Sequence, residues 1–217
     1  YSDQQVVARY VADGTDLTPV EAQLFAAHLA EGMDVLDLGV GAGRTTPYLR
    51  GSRGRYVGID VEPAMVDAGR ERFPDADVRV GDAADLAAFD DGSFDAVVFS
   101  FNGLDYVTRR STCLAECHRV LRPGGVLLLS RHQPRAVLAV PRRPKAPLWI
   151  LRRAVRLVPT RAFWRGEGTV VEPPSGFNGP LLRRAAGTPL PTAMATPRRV
   201  QAELRDHGFE VVDTGGG

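Results

Sequence analysis

The short apolar run MDVLDL at 33–38, followed at once by GVGAG at 39–43, restricts the fold of this chain more than any other feature. A dense run of this length, with no alternation of polar residues, suits a strand buried on both faces of a parallel sheet. Glycines directly after it predict a tight turn into a helix, where backbone N–H groups face outward and no side chain blocks a ligand. The chain therefore starts its core as strand, glycine loop, helix.

That unit repeats. Short apolar strands are expected at 56–60, 78–80, 94–100 and 125–130, each separated from the next by polar or helical sequence. Pro63 suits the first turn of a helix, and Thr108 is positioned to cap another that runs to the RPGG turn at 122–125. At the far end Thr196 and Pro197 start a helix, Gly208 stops it, and FEVVD at 209–213 reads as a last strand. The expected fold is α/β, Rossmann-like and doubly wound, with a mostly parallel sheet of about seven strands. Residues 1–130 and 195–217 form the core. Residues 131–194, rich in Arg and Pro and lacking a strand–helix rhythm, form an insertion after the fifth strand. Within it PLWILRRAVRLV, at 147–158, has the spacing of an amphipathic helix.

The 217 residues suit one domain. No charged start leads into an apolar run and no span of about 20 apolar residues is present, so a soluble, cytoplasmic protein is expected. Cys113 and Cys117, four apart in a helical pattern, suit packing in a reducing compartment. The formal net charge of +1 hides an asymmetry: residues 131–199 hold 14 basic residues against Glu167 and Glu172, net +12, while the remainder is net −11. Two different surfaces follow.

The glycine loop narrows the cofactor. A dinucleotide fingerprint needs its third glycine at position 44, which is Arg44; here the third glycine is Gly43. Asp60 closes the second strand about twenty residues on, where a carboxylate can accept both hydroxyls of a ribose. Either cofactor class uses such an acid.

Taken in order, VLDLGVGAGRTTPYL, YVGIDVEPAMVDAGRERFP, VRVGDAADL, FDAVVFSFNGLDYV and RVLRPGGVLLLS resemble the successive motifs of class I S-adenosylmethionine-dependent methyltransferases. The resemblance covers roughly 33–130 and the ATPRRVQAELRDHGFEVV end, and lies nearest to small-molecule or uncharacterised branches. It implies that Asp37 with Gly39, Gly41 and Gly43 holds the methionine end of S-adenosylmethionine. Asp60 binds the ribose, Val61 packs on adenine, and Asp82 with the backbone of Ala83 receives the adenine amino group. Ser100 and Phe101 line the methionine moiety, and Tyr10 closes over the cofactor from the N-terminal helix. Val40 departs from the smaller residue or Cys common there. Glu21 resembles a recurring acid without an assigned role.

Methyl transfer from a sulfonium asks the protein mainly to align the acceptor and exclude water; a base is needed only where the nucleophile must lose a proton. His132, two residues past the fifth strand, is the base candidate. Asn102, Asp105 and Tyr106 follow the fourth strand and are placed to orient an acceptor. The insertion reads as a substrate cover whose cations suit an anionic acceptor or an acidic carrier. No metal site is expected. Small-molecule methyl transfer leads; an RNA or protein methyltransferase and a non-catalytic S-adenosylmethionine-binding protein are the alternatives. No nucleic-acid module with stacking aromatics at known spacing supports the RNA reading. A homodimer is compatible with the sequence, which leaves oligomeric state open.

Overall fold

The computed structural model describes residues 4–51, 54–101, 103–131 and 197–213. Two helices, α1 (Gln4–Ala12) and α2 (Pro19–His28), precede the sheet. There follow β1 (Val35–Leu38), α3 (Thr46–Leu49), β2 (Tyr56–Asp60), α4 (Pro63–Arg72), β3 (Val78–Val80) and β4 (Phe94–Phe99). A 3-10 turn (Gly103–Tyr106), α5 (Arg110–Val120), β5 (Leu121–Leu129) and α6 (Pro197–Asp206) complete the described elements.

The five strands form one sheet in the order β3-β2-β1-β4-β5, and every pair is parallel. All four residues of β1 are buried, as the unbroken apolar run requires of a central strand. Alternate side chains then build two cores. Leu36, Leu38, Val57, Ile59, Val97 and Phe99 face α5, meeting Cys113, Leu114 and Cys117. Val35, Tyr56, Ala96 and Val98 face the other way, against Phe25 of α2 and Leu49 of α3. The two cysteines are free and buried, as their helical spacing suggested. α4 packs on β3 and β2, and α1 lies against α4.

Because the strands are parallel, their carboxyl ends share one edge. The chain leaves β1 for β2 on one side and returns to place β4 on the other, so a crevice opens outside β1 and β4. The site lies there.

Three expectations change. The described residues contain five strands rather than seven, and 209–213 joins no ladder: Phe209 packs edge-on against His118 with ring centroids 5.4 Å apart, and Asp213 meets His28 at 3.1 Å. An apolar pattern makes a strand only where a partner edge is offered, and β5 pairs with β4 alone among the described residues. Thr108 does not cap α5, whose N-cap is Arg109 without a side-chain bond. RPGG is not a full turn but an irregularity inside β5, where the register against β4 shifts between Phe94 and Ala96. The insertion, its 147–158 helix, Thr196, Asn102 and His132 lie outside the described residues. No described helix is long and apolar enough to cross a membrane.

Candidate active site

The glycine loop is built from below. Asp37 points to the α3 side of β1, is 1% exposed, and accepts from Thr45 Oγ1 at 2.6 Å and from Tyr56 OH at 3.1 Å on the same oxygen. Thr46 Oγ1 and Tyr56 OH are 2.9 Å apart. Burial of the Asp37 carboxyl pushes its pKa up to about 7, against the lowering effect of the two hydroxyls. The carboxylate thus lies beneath the loop it was expected to serve, bracing its start to the first residues of the next helix.

Above that floor the loop glycines differ in what they permit. Gly43 has φ +84°, and a Cβ there would lie 2.7 Å from the Phe73 ring. Gly41 has φ +56°, but a Cβ there would meet nothing within 4 Å. Gly41 therefore borders open space, with its N–H held by Asp60 Oδ2 at 2.9 Å. The other Asp60 oxygen accepts from the N–H of Glu62 at 2.9 Å. Burial raises the Asp60 pKa, and the two backbone donors oppose that rise. These donors fix the carboxylate's direction at the end of β2, beside Val61, which is 68% exposed.

Asp82 follows β3. Its Oδ1 accepts from Ala84 N at 2.8 Å and its Oδ2 from Arg109 at 2.7 Å, an exposed pair; the Ala84 N–H, then Arg109, hold its pKa below the usual carboxylate range. Ala83 is half-buried against the α5-side core. At the end of β4, Phe101 takes φ +53°, the single non-glycine residue with positive φ among those described. Tyr10 is half-buried on α1.

One expected site residue turns inward. Asp105 is 2% exposed and its carboxylate accepts from Arg131 Nε at 2.6 Å, with Arg110 at 4.0 Å. Glu203 of α6 binds Arg110 at 2.6 Å and Arg131 at 3.2 Å, so four charges tie the 3-10 turn, α5, the end of β5 and α6 together. Tyr106 is half-buried in the same turn.

Arg44 directly follows Gly43, and nothing in its sequence context marks it as part of the site. It forms a forked pair with Glu21, 2.6 and 3.1 Å, and donates to Ser100 Oγ at 3.2 Å. The Ser100 hydroxyl donates in turn to Glu21. Burial alone would raise the Glu21 pKa; hydrogen bonds from Arg44, Ser100 and the Thr18 N–H outweigh it and bring the value to about 2. The spacing Thr18-x-x-Glu21 was a legible capping-box signature, and both of its bonds are present.

A parallel sheet in this order, with an open glycine loop after β1 and acids after β2 and β3, defines a Rossmann-like fold. Residues 36–129, less than half of the chain, match the family described as "Methyltransferase domain". A probable S-adenosylmethionine-dependent methyltransferase of Mycolicibacterium smegmatis is 38% identical over 104 residues, 48% of this chain and 40% of that protein. A demethylmenaquinone methyltransferase of Beutenbergia cavernae is 40% identical over 117 residues, 54% of this chain and 48% of that one. The chain thus spans less than half the length of these relatives. A solved S-adenosylmethionine-dependent methyltransferase from Methanosarcina mazei shares the fold with a TM-score of 0.65 at 22% identity, covering 91% of this chain and 87% of its own. One from Aquifex aeolicus does so with a TM-score of 0.60 at 18% identity, covering 98% and 92%.

Proposed function

We propose that this protein transfers a methyl group from S-adenosylmethionine to a small-molecule acceptor. The observation that carries this reading is the pairing of Gly41 with Asp60: a loop glycine open to a ligand, its N–H directing a carboxylate at the end of β2. Asp60 offers its remaining lone pairs to the ribose hydroxyls. Val61 lies against adenine, and Asp82 with the backbone of Ala83 receives its amino group. Gly39, Gly41 and Gly43 carry the loop over the methionine end, which Asp37 supports from beneath through Thr45. Ser100 and Phe101 face that end from β4, and Tyr10 covers it from α1.

Bound there, S-adenosylmethionine supplies a methyl group on a sulfonium, so the reaction needs no metal or covalent intermediate. The chain's own residues hold the acceptor in line and keep water out. Asn102 and Tyr106 orient the acceptor. Asp105 acts through Arg131, fixing where the chain leaves β5. His132, immediately beyond, takes the proton where the nucleophile is a hydroxyl. The names carried by relatives, which include demethylmenaquinone methyltransferases and a ubiquinone biosynthesis O-methyltransferase of Xanthomonas oryzae, support a small-molecule acceptor. The net +12 of residues 131–199 favours an anionic one, or one on an acidic carrier.

Calorimetric titration with S-adenosylmethionine, S-adenosylhomocysteine and NAD tests this. Micromolar binding of the sulfur ligands alone, weakened sharply in Asp60→Ala, is expected. A folded protein silent to both sulfur ligands overturns it.

A further inference from the structure

Arg44 stands one residue beyond the last loop glycine, and its guanidinium joins three segments that enclose the cleft. Its Nη2 donates to Glu21 Oε1 at 2.6 Å and its Nη1 to Glu21 Oε2 at 3.1 Å. Nη1 also donates to the Asp16 carbonyl at 3.0 Å, before α2, and Nη2 to Ser100 Oγ at 3.2 Å, after β4. Its Cζ lies 4.8 Å from the centroid of the Phe101 ring. Glu21 is equally committed, accepting from the Thr18 N–H at 2.8 Å and from the Ser100 hydroxyl. The side chains of the pair are 19% and 8% exposed. Removing both charges from water offsets most of their attraction, so a buried forked pair contributes modest net stability while strictly fixing geometry.

What it fixes is the end of β4. Ser100 is held by both members of the pair, and Phe101, in a left-handed backbone unfavourable for a ring-bearing residue, lies beneath the guanidinium. The acids on the other side of the cleft belong to a separate set of bonds. Asp60 accepts from the N–H groups of Gly41 and Glu62, and Asp82 from Ala84 and Arg109.

We propose that Arg44 and Glu21 are a positioning pair for the methionine half of S-adenosylmethionine, setting Ser100 and Phe101 while leaving the adenosine half to Asp60 and Asp82. This rests on the cofactor reading above. It makes the two halves of the cofactor energetically separable in this chain. It also gives the N-terminal helices a function: α2 is part of the methionine-side wall, because its Glu21 is the acceptor around which Arg44 and Ser100 are arranged.

The full chain is titrated with S-adenosylhomocysteine and with 5′-methylthioadenosine, which keeps the adenosine and the sulfur but lacks the amino-acid end. The variants are Glu21→Gln, Arg44→Lys and the double Arg44→Met/Glu21→Gln, with circular dichroism and thermal unfolding reporting folding. The double variant removes both charges together and leaves neither buried alone, so it keeps the test answerable where a single variant fails to fold. Loss of a hydrogen-bonded charge predicts S-adenosylhomocysteine affinity about tenfold or more weaker in every folded variant, with 5′-methylthioadenosine within about twofold of wild type. Arg44→Lys does not rescue, because an ammonium lacks the fork. An equal loss for both ligands, or no loss for either, overturns the positioning role. Wild-type protein that is folded yet binds neither ligand overturns the cofactor reading itself, a result distinct from either outcome in the variants.

Discussion

The Thr45 hydroxyl donates to the Asp37 carboxylate over 2.6 Å, joining the strand before the glycine loop to the helix after it. Tyr56 reaches the same oxygen from β2, two residues before Gly58, the register partner of Asp37. A Cβ on Gly58 would lie 2.9 Å from the Tyr56 hydroxyl, so the glycine in β2 is what lets the phenol pass beneath the loop. Three sequence positions far apart in role thus form a single support.

Asp37 predicts an unusual pH profile. Its folded pKa, about 7, lies above the ordinary value of 3.8 because burial disfavours the charge. The stability tied to its protonated form is fully present below about pH 4 and is lost as pH rises through about 7. At about 1.4 kcal/mol for each pH unit between folded and unfolded values, the ceiling is about 4 kcal/mol. Asp37→Asn keeps an oxygen to accept from Thr45 and Tyr56 and carries no charge. Urea unfolding from pH 4 to 8 is expected to show a flatter profile for Asp37→Asn and a higher midpoint than wild type at pH 8.

At Phe101 the backbone and the side chain have opposing demands. The φ of +53° costs a residue with a Cβ about 1–2 kcal/mol, which glycine avoids. Phe101→Gly and Phe101→Ala both delete the ring over which Arg44 lies, so their difference isolates the backbone. Denaturant unfolding is expected to find Phe101→Gly about 1 kcal/mol more stable than Phe101→Ala, the reverse of the usual order. Equal stabilities would show that the left-handed conformation is not retained once the ring is gone.

Arg131 carries a different liability. Its side chain is 6% exposed and its partner Asp105 is buried, so Arg131→Met takes the 2.6 Å charged donor from a buried carboxylate whose contact with Arg110 is 4.0 Å. Such a loss is expected to cost about 3 kcal/mol. Arg131→Met/Asp105→Leu removes both charges and is expected to regain more than half of that, a coupling that a double-mutant cycle reads directly.

The order of strands and helices in the first 130 residues was legible because the strands are short apolar runs, the first three closed by Gly39, Asp60 and Gly81. Parallel burial leaves no polar alternation to blur that signal. The Asp60 position was equally legible, since a strand end leaves its carboxylate few places to go. Phe209 to Asp213 was misread because its pattern was strand-like while its pairing depended on an edge that sequence does not reveal. Asp105 was misplaced for a related reason: a polar residue after β4 reads as facing the cleft, and only the fold brings Arg131, 26 positions later, against it. Glu21 and Arg44 were invisible as a pair because 23 residues and a strand separate them.

The loop glycines separate stability from binding. At Gly43 a methyl group would enter the Phe73 ring at 2.7 Å and face Thr46 Oγ1 at 3.2 Å, besides imposing a φ of +84° on an L residue. Overpacking and left-handed strain add, so Gly43→Ala is expected to lose about 2–4 kcal/mol of unfolding stability. At Gly41 the same methyl group meets nothing from the protein, and only the strain of about 1–2 kcal/mol applies. What it does enter is the space bordered by Asp60, so S-adenosylhomocysteine binding to Gly41→Ala is expected to fall about tenfold or more while the protein remains folded. Thermal unfolding ranks the two variants one way and calorimetric titration ranks the folded Gly41→Ala against wild type. If Gly41→Ala binds as wild type does, the open side of the loop is not where the cofactor lies, and the position of the site must move toward β4.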